Sequence, residues 1–207
     1  MMKIKTGLFA LALLPCTTFA TVGGSQTIEV LGYEPIEQKV YLLRHYEDGR
    51  GRLPQLYYYQ FKHNKNTEKI ILVHSLYINP KTQKIDYDQD SRAFDKEILK
   101  IRKRLQPLNY LPKQNMNIHV LKKKQSKEKS WYDPNQFVPK SIYTYQLKNK
   151  KFISLIHQAT DYGQGLKISQ AYKIPNQPNN LAIVKYLGIP FETGYYIEDP
   201  VLLSLKK

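Results

Sequence analysis

Short apolar runs that alternate with polar residues, cut apart by Gly, Pro, Asn and Asp, recur along most of this chain and restrict it to a fold built chiefly from strands. Residues 39–46 (KVYLLRHY) and 55–62 (QLYYYQFK) bracket a turn at 47–52 (EDGRGR), where Asp48-Gly49 supplies a left-handed position at little cost. Along 55–62, Tyr57, Tyr59 and Phe61 fall on one face and Leu56, Tyr58 and Gln60 on the other. A turn at 63–66 (HNKN) leads to 69–77 (KIILVHSLY). Residues 116–121, 141–147, 151–157, 166–174, 180–187, and 194–197 continuing to 201–205 carry the same signal. Tyrosine, 17 of 207 residues, contributes much of it.

One segment has a different period. Over 91–105, Phe94, Ile98, Ile101 and Leu105 recur at helical spacing among charged residues. Asp90 or Ser91 can cap its start, Asp95 and Glu97 lie early, Arg102, Lys103 and Arg104 lie late, and Pro107 stops it. The expected fold class is α+β: a predominantly antiparallel β-sheet with one amphipathic helix, about 91–105, packed on it.

The N-terminus reads as a signal peptide over 1–20. Lys3 and Lys5 precede the apolar run 7–14 (GLFALALL), and 15–20 (PCTTFA) ends on Ala20, a residue suited to signal peptidase. The run is too short to span a bilayer, which takes roughly 20 apolar residues as a helix. Cys16 sits where a lipoprotein would be acylated, but Pro15 before it disfavours that processing. Cleavage after Ala20 removes Cys16, leaving residues 21–207 as one basic, β-rich domain with no thiol, in the periplasm or secreted.

Loss of Lys3 and Lys5 lowers the formal charge from +15 to +13, and the remainder is concentrated. Residues 91–130 hold twelve Lys and Arg against three acids. Within them, 122–130 (KKKQSKEKS) has nothing to bury and reads as an exposed loop. Such a field favours anionic lipid, lipopolysaccharide or another acidic polymer. Arg102, Lys103, Arg104, Lys122, Lys123 and Lys124 are the expected contacts.

Chemistry-bearing motifs are sparse. Asp86, Asp88, Asp90 and Glu97 occupy the first, third, fifth and twelfth places of a calcium loop, but Ser91 stands where the tight turn wants Gly, and helix capping accounts for Asp90 without an ion. His45, His63, His74, His119 and His157 show no ligand spacing. His45 with Arg44, Glu47 and Arg50 is the nearest local acid–base set. The sequence has no G-x-S-x-G, Walker loop or G-x-G-x-x-G, and no cofactor is expected.

Three stretches together resemble a family of secreted bacterial proteins of unknown function. They are 46–56 (YEDGRGRLPQL), similar to that family's D-G-x-G-x-P hairpin; the Arg-rich helix; and 187–203 (LGIPFETGYYIEDPVLL), similar to its closing G-F-E-G segment. Here Ile189-Pro190 and Thr193 depart from the closing motif. The resemblance implies export and singles out Asp48, Gly49, Gly51, Pro54, Phe191, Glu192 and Gly194. It brings no catalytic residue with it.

The expected function is therefore non-catalytic binding of an anionic envelope component. The alternatives are a secreted, nuclease-like hydrolase of an acidic polymer and a subunit of an envelope assembly.

Overall fold

The computed structural model describes residues 24–62, 69–130, 133–190 and 194–206. The signal peptide expected at 1–20 with its Cys16, the turn residue His63, and Phe191 and Glu192 lie outside the described residues.

The chain is mostly strand, in a mixed and mainly antiparallel sheet, with one α-helix among the described residues. In chain order the strands are β1 (Gln26–Glu34), β2 (Lys39–Tyr46), β3 (Gln55–Gln60), β4 (Ile71–Leu72), β5 (Asn109–Tyr110), β6 (Asn117–Lys129), β7 (Phe137–Lys148), β8 (Phe152–Ser154), β9 (His157–Asp161), β10 (Lys167–Lys173), β11 (Asn179–Ile189) and β12 (Tyr195–Leu205); helix α1 (Ser91–Arg102) falls between β4 and β5. The main path runs β4-β3-β2-β1-β12-β11-β10-β5. The β1–β12 junction is parallel, with Gln26 opposite Ile197. From β12 the sheet also continues through β8 to β7, which pairs with β6 on one edge and β9 on the other.

Strand alternation sorts this sheet into layers. Val40 and Leu42 of β2 face Leu181 and Ile183 of β11 and Leu202 of β12 in one cluster. Their neighbours Tyr41 and Leu43 face the opposite way, onto Tyr77 and onto Phe94 and Ile98 of α1. On β11, Ala182 and Val184 likewise turn away from Leu181 and Ile183 to meet Tyr143, Tyr145 and Leu147 of β7. The order through the molecule is α1, then β1–β3, then β10–β12, then β6, β7 and β9. Helix and β6–β7 hairpin thus lie on opposite outer sides.

Several elements differ from the sequence expectation. Helix α1 ends at Arg102, and the N–H groups of Arg104 and Leu105 bond three residues back, to Ile101 and Arg102, as the chain tightens ahead of Pro107. Within 69–77 only Ile71–Leu72 pair as a strand; Ser75–Tyr77 turn in a 3₁₀ helix that buries Tyr77 completely. The Tyr77 hydroxyl donates to the Pro54 carbonyl and accepts from the Leu56 N–H, both at 2.6 Å, and the turn delivers it there.

The tract 122–130, expected as a loop, is instead the outer half of β6 through Lys129, paired residue by residue with β7. A ladder needs backbone partners, not apolar side chains, so a lysine-rich segment can be fully paired while burying nothing. Strands β1, β5 and β9 were not expected, and the stretch 151–157, expected as one strand, breaks after β8 at Leu155–Ile156. In β1, Gly32 marks a bulge at φ 142°, where an added Cβ would lie 2.7 Å from the Gln106 carbonyl oxygen.

Candidate functional site

The lysine-bearing hairpin is the most distinctive surface. Strand β6 pairs with β7 from Asn117 opposite Lys148 to Lys129 opposite Phe137. The core holds only one face of β7, at Tyr143, Tyr145 and Leu147, whereas β6 is exposed along nearly its whole length. Strand β9 supports β7 as far as Ser141, opposite Asp161, and beyond that point the β6–β7 arm continues as two strands.

A slip in register between Val120 and Lys122 determines which lysines share a face. Lys122 stands opposite Thr144 and Lys124 opposite Ile142, and across β7 these continue to Gln158 and Thr160 of β9. Lys122, Lys124, Ile142, Thr144 and Gln158 line a depression of about 290 Å³. Two residues of strand rise separate the lysines by about 7 Å. Lys123 turns to the other face, its ammonium 5.2 Å from the centre of the Tyr143 ring.

Among the described residues, neither Lys122 nor Lys124 has a carboxylate partner. The acid of this tract, Glu128, is taken by Lys140 at 2.7 Å and also accepts from the Tyr162 hydroxyl at 3.3 Å. The Lys140 ammonium holds the Glu128 carboxyl below its ordinary value, and Glu128 raises Lys140 in return. The arm keeps its positive excess.

The basic end of α1 is different. Arg102 bonds Glu29 at 2.6 Å, and Glu29 also meets the His45 ring at 3.0 Å; Arg104 lies 3.8 Å from Glu37. Burial acts to raise the Glu29 carboxyl, but the bonds from Arg102 and His45 hold it below the usual carboxylate range. Among the described residues, Lys103 alone of the three has no such partner. Arg102, Lys103 and Arg104 therefore do not join Lys122, Lys123 and Lys124 in one patch.

The hairpin loop after β2 is ordered by its own charges. Asp48 accepts from Arg52 at 2.8 and 3.1 Å and from the Arg50 N–H at 3.2 Å, while Arg52 lies over the Tyr46 ring at 4.3 Å. Gly49 and Gly51 have positive φ, and the Pro54 carbonyl receives the Tyr77 hydroxyl. A small hollow of about 160 Å³ opens here between Tyr46, Asp48, Arg50 and Arg52 on one side and Ile189 of β11 on the other. Gly194 faces the Leu187 side chain.

The acid–base set around His45 is not assembled. Successive residues of β2 point to opposite faces, so His45 meets Glu29 while Arg44 bonds Asp199 at 2.7 Å and Gln26 at 3.1 Å. Asp199 also accepts from the Tyr186 hydroxyl at 2.6 Å. Burial raises Tyr59, Tyr145 and Tyr186, which keeps the phenols around this carboxylate protonated. Burial lowers His157, whose ring lies 5.7 Å from that of Tyr145.

The calcium-like carboxylates are also held apart. Asp86 binds the Asn79 amide and the Asp88 N–H, Asp90 caps α1 through the Arg92 N–H, and Glu97 pairs with Lys100 at 2.6 Å. Among the described residues, no group of three or more His, Cys, Asp or Glu is placed to hold a metal ion, and no helix is long and apolar enough to cross a membrane.

Four cations that the sequence reading did not single out, Lys148, Lys150, Lys151 and Lys206, converge at the base of the arm. The KNKK turn was visible as a local cluster. Lys206 carried no signal, because the β8–β12 pairing brings it there. Comparison with protein-family models, with curated proteins and with solved structures finds no match to this chain.

Proposed function

We propose that this is an exported, non-catalytic binding protein whose β6–β7 arm docks on an anionic envelope surface. The observation that carries the reading is a strand of lysines held out on a paired ladder, with its one local acid already bonded to Lys140. A positive arm already paired strand to strand presents charge with less ordering cost than a loop, which must be frozen on contact. The leader at 1–20 supplies the route to an envelope partner. Depletion of Met1–Ala20 in N-terminal sequencing of material from the producing cell tests that part.

Docking is tested by co-sedimentation of the mature chain with phosphatidylglycerol vesicles and with neutral phosphatidylcholine vesicles at rising salt. Near an anionic surface each lysine is worth about 1 kcal/mol, so Lys122→Gln, Lys123→Gln and Lys124→Gln together should weaken binding roughly 100-fold at low salt. Unchanged binding by the triple variant rejects the reading.

A second reading has its own observation. Among the described residues β6 pairs only with β7, so its other edge is open, and lysines on an open edge discourage pairing with other chains.

A further inference from the structure

A concavity lies at the root of the arm, where the start of β6, the β7–β8 turn and the residue after β12 meet around a pocket of about 730 Å³. That is within the range of small-molecule sites, about 300–1,000 Å³. Lys148, Lys150, Lys151 and Lys206 line it, with no carboxylate among its described lining residues. Four lysines gather at one hollow, the Lys206 ammonium bonded to the Asn149 and Lys150 carbonyls, and an anion with several oxygens offsets this concentration of positive charge.

The rest of the lining is selective in character. The side chains of Gln114, Asn115 and Asn117 offer both donors and acceptors, which suit hydroxyl groups better than a bare inorganic anion. Phe152, half-buried, contributes an apolar wall. Carboxamides, an aromatic wall and lysines together suit a sugar ring that carries phosphate: the amides for its hydroxyls, the ring face for its C–H groups, the ammonium groups for its phosphate oxygens.

The floor is held in place before any ligand arrives. The Asn149 side-chain oxygen accepts the N–H groups of Lys151 at 2.9 Å and Phe152 at 2.7 Å, closing the turn. Lys206 donates its backbone N–H to the Lys151 carbonyl at 2.9 Å and its ammonium to the Asn149 and Lys150 carbonyls at 2.6 and 3.4 Å. Lys150 and Lys151 are thus mounted on a fixed turn while their ammonium groups have no bonded partner among the described residues.

We infer that this basal pocket binds a phosphorylated saccharide, either free or as the headgroup of a phosphoglycolipid. The inference is independent of docking by Lys122, Lys123 and Lys124, which lie further out along the arm.

The test is titration calorimetry on the mature chain with glucose 6-phosphate, glucose and inorganic phosphate. Glucose 6-phosphate should bind at least tenfold more tightly than either of the others. Lys150→Gln with Lys151→Gln should weaken it tenfold or more, with the melting temperature unchanged because both side chains are exposed. Lys122→Gln with Lys124→Gln should leave it unaltered. Equal affinity for glucose 6-phosphate and phosphate, no binding at millimolar sugar phosphate, or an undiminished affinity in the basal variant overturns the inference. So does loss of sugar-phosphate binding in the outer variant. Competition with vesicles bearing a phosphorylated glucosamine lipid separates the sources: displacement at a lower concentration than the free sugar assigns the lipid-borne ligand, and equal or weaker displacement assigns the free one.

Discussion

The carboxylate of Asp161 accepts the backbone N–H of Leu187 at 3.2 Å, joining the end of β9 to β11 through a side chain that is only 1% exposed. The same carboxylate accepts the N–H groups of Gly163, Gln164 and Gly165, so it closes the loop after β9 as well. Strand β9 pairs with β7 on the edge opposite to β6, across Thr144 and Ile142 from Lys122 and Lys124. One acid therefore anchors the layer that carries the arm to the layer beneath it.

Removing that acid should be costly. Asp161→Ala strands several buried or partly buried N–H groups at once, and a loss of roughly 3 kcal/mol is expected from hydrogen bonds to a charged acceptor. Asp161→Asn keeps part of the acceptor geometry and should lose less. Urea denaturation of both variants checks this; a midpoint for Asp161→Ala equal to that of the parent contradicts it.

Gly32 sits at the bulge of β1 with φ 142° and its α-carbon against the Gln106 carbonyl. Gly32→Ala suffers both from that conformation and from a contact that backbone cannot yield cheaply, so a loss above about 2 kcal/mol is expected. Gly49, at φ 72°, has nothing within 4 Å of an added Cβ, and Gly49→Ala should cost only the left-handed conformation, about 1 kcal/mol. Equal midpoints for the two variants in chemical denaturation would refute the distinction.

The pH dependence near neutrality follows from His157. Burial lowers its folded pKa below the ordinary 6.5, so as pH falls through about 6.5 the unfolded chain takes up a proton that the folded one resists. Stability should therefore decline from pH 7 toward pH 5.5, even though the nearby Asp199 partly favours the charged ring. Glu29, Glu37 and Asp48, all lowered overall, add their losses further down, below the unfolded carboxylate range. His157→Gln should flatten the upper part of the decline and leave the acid part intact, as read from melting temperatures across this range. An unaltered slope between pH 7 and 5.5 would assign that part to other groups.

Some of this architecture was legible in the sequence and some was not. The bounds of β2 were readable because all four of Val40, Tyr41, Leu42 and Leu43 are buried, two on each face, and such a run has no helical alternative of the same length. Strand β1 was hidden by Gly32, which looks like a breaker until the Gln106 carbonyl it accommodates is known. The outer half of β6 was hidden for the opposite reason: pairing leaves no apolar trace when neither face is covered. The positive tract itself was visible, but its division was not. Glu29 and Glu37, which engage Arg102 and Arg104, lie more than sixty residues upstream, and only the packing of α1 over β2 and β3 brings them together.

The two roles open to Lys122 and Lys124 can be separated by one substitution pair. Val120 and Leu121, 42% and 45% exposed, precede them on the open edge of β6, so Lys122→Val with Lys124→Val puts two β-branched apolar residues on one face of that edge where charge now stands. The fold should tolerate the change, since neither side chain is buried, and melting temperatures should stay close to the parent's. Light scattering should instead reveal self-association at concentrations where the parent is monodisperse. Vesicle binding is then measured on the monomer fraction. If the variant self-associates yet the monomer binds phosphatidylglycerol as the parent does, the lysines serve to guard the edge and the docking reading fails. If the monomer loses binding without any tendency to associate, the edge is protected by other means, and the lysines are there for the anion.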